Sequence, residues 1–376
     1  MMNEKIGPRV IDEQEFSEIE FLGQLARTRL EEDPYTSESM AKLLSGDIPE
    51  KLPICIGGEF WGRWIGSNVA QFYEDPVIRF KSICAGIIRF RADMVSFFSH
   101  GLALAPLIKY FGAKPTDLGS GVSPFLFEDH PVKEDSDVEG LKIPTSGKLE
   151  EILSDHLWYA STERRLLGNS LGPRIYYLID PLAFAGGALR GMDKIMLDMV
   201  KNPSLVHELC EVSTKILAKI GRFEKRNGVE VICTFGVASF LSPNQCEEFL
   251  IPYLESLLKA FHPCKLYVGG MGNMSHIIDH LMKLDCDGLM LDSETPVPKI
   301  IDAFNKFDKR CFRHGVNRKV MITGSIDEIE KNVVETVNVA RKVASPILSD
   351  FLDYRITFEN ADFAVSKARK LNYGGR

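Results

Sequence analysis

Several signals that would place a protein in a special class are missing from this sequence. No apolar run reaches the roughly eighteen residues that a membrane-spanning helix needs. Residues 1–20 are polar and acidic, with no apolar core of a secretory signal. No block of Lys and Arg stands out. The balance of 45 basic against 52 acidic residues gives a net charge of −7, which argues against a nucleic-acid footprint and favours solubility. The eight cysteines (Cys55, Cys84, Cys210, Cys233, Cys246, Cys264, Cys286 and Cys311) are scattered without a C-x-x-C pair. That pattern speaks for reduced, cytoplasmic thiols rather than a disulfide framework. A G-x-G-x-x-G phosphate loop is absent too. The first apolar strand runs into Gly57-Gly58-Glu59-Phe60-Trp61-Gly62, Gly-rich but wrongly spaced, which weakens the doubly wound alternative.

What is present is an ordinary globular composition, with 45% hydrophobic and 26% charged residues, enough for a sizeable core. The chain has 376 residues. That length suggests two or three domains unless the fold is a (β/α)8 barrel, which reaches this size as one. Phe16, Ile19, Phe21, Leu22, Leu25, Ala26 and Leu30 recur at helical spacing, so residues 1–50 are read as an N-terminal helical extension. Residues 51–376 then alternate short apolar strands with amphipathic helices. Strands are expected at Leu52–Ile56, Met94–Phe98, Arg174–Ile179, Val229–Thr234, Lys265–Val268, Gly288–Leu291, Val320–Ile322 and Pro346–Leu348. Single helices are expected at Leu149–Leu167, at Ser242–Phe261 with Ser242 as cap and Pro243 next, and at Met274–Leu284. Residues 113–147, rich in Pro, Gly, Asp and Glu, form an excursion or lid. About eight strand–helix units make the fold class α/β, a (β/α)8 TIM barrel.

Several segments, in order, resemble the uroporphyrinogen decarboxylase superfamily, which also holds methylcobamide:coenzyme M methyltransferases and related corrinoid-linked methyltransferases. They are Asp180-Pro181-Leu182-Ala183-Phe184 through Asn202-Pro203-Ser204-Leu205-Val206-His207, then Leu241-Ser242-Pro243 with Phe249-Leu250-Ile251-Pro252-Tyr253. Tyr267-Val268-Gly269-Gly270, Asp292 and the closing Thr357-Phe358-Glu359-Asn360 complete the set. The resemblance covers about residues 50–371 and implies the barrel, with its site at the C-terminal mouth.

The departures bear on function. Zinc-dependent methyltransferase relatives bind the metal through His and Cys two residues apart and a later Cys. Here Tyr267 and Gly269 stand at the first two positions, and Leu348–Leu352 offers no Cys. Zinc needs thiolate or imidazole ligands, so no metal is expected from this set. The decarboxylase pattern also departs. The Arg-rich segment after strand one retains only Arg63, and the expected Asp after strand two is His100. A many-carboxylate substrate needs several cations.

The resemblance singles out His100, Tyr267 and Asp292 as catalytic candidates. His100 suits general acid or base work at a strand end, against a loop hydrogen bond. Tyr267 would protonate a leaving oxygen in place of the metal, or simply fill the metal's volume. Asp292 would orient substrate, or cap the next helix. Substrate-binding candidates are Trp61, Arg63 and Trp64, an aromatic pair with one cation that could hold a planar carboxylate or pack beneath the extension. Cys233, Glu359 and Asn360 complete the set. Cys233 is balanced against inert core, and Glu359 and Asn360 against tying the last helix to the rim. His276 and His280, four apart, read as a solvated pair.

The expected function is methyl transfer between a small methylated compound, such as a methoxylated aromatic, and a corrinoid (cobalamin) protein. No cofactor would be bound tightly, and the partner would present the corrinoid. Uroporphyrinogen-type decarboxylation is the alternative, and a non-catalytic binding protein on the same barrel is a third. Neither nucleic acid nor membrane is expected as a partner. Whether the chain forms a homodimer stays open.

Overall fold

The protein was analysed as a computed structural model that describes residues 4–6, 9–32, 35–55, 59–90, 100–115, 127–307, 310–345 and 355–373. Strands β1 (Glu4–Ile6) and β2 (Arg9–Ile11) form an antiparallel pair, as do β3 (Lys114–Pro115) and β4 (Phe127–Glu128). The main sheet consists of β5 (Ile175–Ile179), β6 (Val231–Gly236), β7 (Lys265–Gly270), β8 (Gly288–Leu291) and β9 (Arg310–His314). These five strands are parallel and lie side by side in sequence order. A doubly wound sheet would reverse its strand order at a switch point. This sheet does not, and its helical crossovers are those of successive barrel units.

Side-chain parity divides the packing in two. Ile232, Leu266, Val268, Leu289 and Leu291 face outward and join a core with Leu205, Leu209, Leu254 and Leu258. Tyr177, Val231, Cys233, Tyr267 and Met290 face inward and join a second core with Ile54, Cys55 and Trp61. That alternation is the two-residue period of a strand covered on both faces. Helix Pro203–Arg226 starts with Pro and buries Leu205, Val206, Leu209, Cys210, Ile216, Leu217 and Ile220 along one stripe. The N-terminal helix Glu13–Glu31 is capped by Asp12, whose carboxylate accepts the Glu15 N–H at 2.8 Å. It packs on helices Pro76–Phe90 and Ser154–Leu167.

Some expected elements differ. Val320–Ile322 is not a strand but lies in helix Arg318–Thr323, and the strand is the preceding Arg310–His314. Asn317 commits the apolar triplet to a helix, because its side chain accepts the Val320 N–H at 3.1 Å. The strand itself alternates with Arg and His and so carries little apolar signal. Ser242–Phe261 is broken into Pro243–Phe249 and Ile251–Lys259 at Leu250, just before Pro252, which has no N–H to continue the ladder. Leu149–Leu167 is likewise two helices, Ser146–Ile152 and Ser154–Leu167. The Met274 helix shortens to Ile278–Met282. Of the first expected strand, Ile54 and Cys55 form bridge pairs. The strands expected at Met94–Phe98 and Pro346–Leu348 lie outside the described residues.

The described part of the 113–147 excursion is tied down beside the loop after β5. The Val132 N–H donates to the Leu189 carbonyl at 2.9 Å, and Asn202 donates to Asp135 at 2.9 Å. Arg190 pairs with Asp198 at 2.8 Å and donates to the Lys133 carbonyl. Among the described residues, no helix is long and apolar enough to cross a membrane.

Candidate functional site

The loops that follow β6, β7, β8 and β9 enclose a cavity of about 730 Å³ at the C-terminal ends of the strands. Ser239 and Phe240 come from the first loop, Met271, Gly272 and Asn273 from the second, and Asp292, Ser293 and Glu294 from the third. Val316, Asn317, Arg318 and Lys319 follow β9, and Arg355 precedes the closing helix. The size suits a small molecule.

Asp292 is held as an acceptor. One carboxylate oxygen takes the Gly272 N–H at 3.2 Å. The other takes the Glu294 N–H and the Ser293 hydroxyl, each at 3.2 Å. Thr295 strengthens the same link, accepting the Met274 N–H and donating to the Gly272 carbonyl, both at 3.2 Å. Gly272 sits at φ +81°, where a side chain would be strained. Asp292 therefore does not cap the next helix, which begins at Val297. It joins two mouth loops and keeps its carboxylate beside the cavity.

The cationic wall is formed by Arg318, Lys319 and Arg355, three residues that the sequence reading missed. Arg318 and Lys319 open the short helix Arg318–Thr323, whose cap Asn317 receives further support from Asn332: the Asn317 N–H donates to the Asn332 side chain at 3.0 Å. The Arg318 Nε is buried and has no hydrogen-bond partner. Recognising that β9 ends at His314 would have put these cations just past a strand end, where barrel sites are built.

The other candidates lie elsewhere. Asn360 donates from its side chain to the Met321 carbonyl at 2.9 Å, fastening the closing helix Phe358–Tyr373 to the helix that carries Arg318, and Glu359 is exposed. Arg63 donates to the Ile356 carbonyl at 2.8 Å and lies 5.0 Å over the Phe358 ring. Trp64 packs edge-on against Phe358 and Phe90 at 4.2 and 5.5 Å. Trp61 is fully buried against Gly86, where a side chain would overlap its indole. Neither Trp nor Arg63 lines the mouth cavity. They anchor the segment after the first strand to helix Pro76–Phe90 and to the start of the closing helix.

Tyr267 and Cys233 are neighbours in the sheet, with Tyr177 on the far side of Cys233. Both are buried, a rank below the mouth. Tyr267 is the third residue of β7 rather than a residue beyond its end. It lines a separate cavity of about 330 Å³ with Lys265, Asp287 and Gly46, at the N-terminal ends of the strands. His100 opens a π-helical turn, His100–Leu104, and its side chain lies outside the described residues. His276 hydrogen-bonds the Leu241 carbonyl at 2.9 Å, and His280 pairs with Glu247 at 2.8 Å.

Asp180, at the end of β5, was quoted in the resemblance without a role. It is 2% exposed and accepts the N–H groups of Ala183 at 2.6 Å and Val237 at 3.1 Å, tying the ends of β5 and β6 together. Burial, only partly offset by these hydrogen bonds, pushes its pKa up to about 6. The seven described cysteines are free thiols, and burial pushes Cys246 up to about 12, away from nucleophilic use.

The residues present do not fit the relatives' zinc site. Gly269 has no donor atom, and a β-carbon there would overlap the Met290 carbonyl oxygen, so this backbone could not accept a cysteine. Tyr267 supplies a phenol in place of imidazole, and among the described residues no group of three or more His, Cys, Asp or Glu side chains could hold a metal ion.

The profile of the uroporphyrinogen decarboxylase (URO-D) family matches residues 36–347. The chain belongs to the uroporphyrinogen decarboxylase family. Relatives include chloroplastic uroporphyrinogen decarboxylases. The rice enzyme, uroporphyrinogen decarboxylase 2, is 24% identical over 265 residues, 67% of this chain and 63% of that one. The tobacco enzyme is 28% identical over 268 residues, 67% of this chain and 64% of that one. The match thus spans less than two thirds of these relatives' length. Among solved structures, a methyltransferase from Methanosarcina mazei superposes with a TM-score of 0.76. It covers 90% of this chain and 99% of its own at 16% identity. Family and superposition together make the fold a TIM barrel, and the parallel run β5–β9 is part of it. The URO-D family is a family of enzymes; the sequence relatives are decarboxylases, and the likeness to the methyltransferase is one of fold.

Proposed function

We propose that this URO-D family member is an enzyme of one-carbon transfer. It would hold a small methylated substrate at the barrel mouth and pass the methyl group to a corrinoid presented by a partner protein. The observation that carries this reading is the mouth cavity, about 730 Å³, which has fixed acceptors on one wall and Arg318 and Lys319 on another. That volume accepts a small donor, and the wall residues would set its orientation. Methyl transfer is an in-line displacement that gains mostly from positioning. Asp292, fixed by three hydrogen bonds, would orient the donor without reorganising. The methanogen methyltransferase supports the reading at the level of fold.

The test is anaerobic visible spectroscopy of the protein with a cob(I) corrinoid protein and a panel of methyl ethers, methylamines and methyl thiols. The methylated-corrinoid spectrum with one donor class is expected. Absence of conversion with every donor, using a corrinoid partner of proven activity, would overturn the reading.

Decarboxylation is the second reading. The observation that favours it is the cationic wall of Arg318, Lys319 and Arg355, which suits a substrate with several carboxylates. Release of CO2 from uroporphyrinogen, lost in Arg318→Ala, is the result that would install it. Ligand binding without either reaction would leave a binding protein.

A further inference from the structure

The mouth cavity carries opposite charges on separate walls. Asp292 and Glu294 stand on the loop after β8, and Arg318 and Lys319 on the helix after β9. Among the described residues, neither acid pairs with either cation, and the Arg318 Nε is buried without a partner. Glu294 and Lys319 are exposed to solvent, whereas Asp292 and Arg318 are half-buried, where an opposite charge brought by a ligand counts for more. Asp292 is held back by its three hydrogen bonds to Gly272, Ser293 and Glu294. The helix that carries Arg318 and Lys319 is fixed by the Asn317 cap and, at the Met321 carbonyl, by Asn360. A cavity built this way suits a ligand that brings an anion to one wall and a cation to the other. Phe240, 74% exposed at the cavity, adds an aromatic face, which attracts alkylated ammonium groups.

We infer that the mouth takes a zwitterion, a methylated ammonium carboxylate. Its carboxylate lies on Arg318 and Lys319, and its methylated nitrogen lies between Asp292, Glu294 and Phe240. The assignment rests on the methyl-transfer reading for its chemistry and gives that reading a leaving group that needs no acid. An ether oxygen departs as an alkoxide and must be protonated, and Tyr267 lies a rank below the mouth, lining the separate cavity with Lys265 and Asp287. A quaternary ammonium needs no proton. The cob(I) electron pair forms the new cobalt–carbon bond, the carbon–nitrogen pair stays on nitrogen, and a neutral tertiary amine departs. The cobalt is formally oxidised to cobalt(III), and the methyl group moves as a cation equivalent.

The test is calorimetric titration of the protein with trimethylammonio-carboxylates of graded chain length. The controls are 3,3-dimethylbutanoate, in which carbon replaces the charged nitrogen, and tetramethylammonium. One zwitterion should bind at least about tenfold more tightly than either control. Arg318→Ala should weaken it by a similar factor, and Lys319→Gln, an exposed change, provides the same reading should Arg318→Ala fail to fold. Equal binding of zwitterion and carbon isostere, no binding by any homologue at millimolar concentration, or unchanged affinity in both variants would overturn the inference. The corrinoid assay separates the two claims. Methyl transfer from a neutral ether by a protein that binds no zwitterion would overturn the zwitterion and keep the methyltransferase. Zwitterion binding that depends on Arg318, without methyl transfer from any donor, would support the charge assignment and overturn the methyltransferase.

Discussion

Asp180→Asn separates two opposing effects at one buried carboxylate. Asp180 is 2% exposed at the end of β5, and burial raises its pKa from 3.8 to about 6. In the unfolded chain the group titrates at its ordinary value. Between those two values the folded protein keeps a proton that the unfolded chain has released. The contribution is therefore fully present below pH 3.8 and is lost as pH rises through about 6. At 1.36 kcal/mol per pH unit, the interval amounts to about 3 kcal/mol. Asparagine does not titrate, so this loss vanishes in the variant. A cost independent of pH takes its place, because Asp180 accepts Ala183 and Val237 on separate oxygens and asparagine turns an NH2, which cannot accept, towards one of them. Leaving one buried N–H unpaired costs about 1–3 kcal/mol. Urea unfolding of both proteins across about pH 4 to 7 reads the difference. The variant should be the less stable at the acid end, and the gap should shrink or reverse by about 3 kcal/mol towards neutrality. A gap that stays constant, or widens as pH rises, would refute the claim that burial outweighs the hydrogen bonds at Asp180.

Other perturbations follow from the same packing. Gly221→Ala places a β-carbon into the ring of fully buried Phe261. Overpacking at about 1–3 kcal/mol outweighs the ~1 kcal/mol gain in helix propensity, so thermal denaturation should show a lower Tm. A raised Tm would mean that helix Pro203–Arg226 and the turn that holds Phe261 do not meet so closely. Asn360→Ala removes the hydrogen bond to the Met321 carbonyl. It should cost about 1 kcal/mol of stability and weaken ligand binding at the mouth several-fold, and unchanged affinity would detach the closing helix from the site. Tyr267→Phe should leave affinity for a mouth ligand unchanged by calorimetry, because Tyr267 lines the cavity at the opposite strand ends.

The barrel units were legible in the sequence wherever apolar residues alternated cleanly and caps announced a helix. β8 has the expected bounds, and Ser325 with Glu328 forms a reciprocal cap on helix Ile326–Val343. Legibility failed where charge replaced the apolar pattern. Arg310-Cys311-Phe312-Arg313-His314 is a strand held by pairing with β8, and nothing in its composition says so. That one misplacement hid Arg318 and Lys319. Arg355 was beyond reach for another reason: it meets the other cations across tens of intervening residues, and only closure of the barrel brings them together. Asp292 could be placed at the mouth because it ends a readable strand. Tyr267 was named from an aligned motif, but its depth depends on strand register, and a position two residues before Gly269 lies a full rank lower in the barrel.

The most direct measurement of the central claim is the anaerobic spectrum of a cob(I) corrinoid protein mixed with this protein and each candidate donor. The account predicts conversion to the methylated corrinoid with a methylated ammonium carboxylate, slowed about tenfold or more at low donor concentration in Asp292→Ala and Arg318→Ala proteins that remain folded. No conversion with any donor, or uroporphyrinogen decarboxylation that depends on the same two residues, would contradict it.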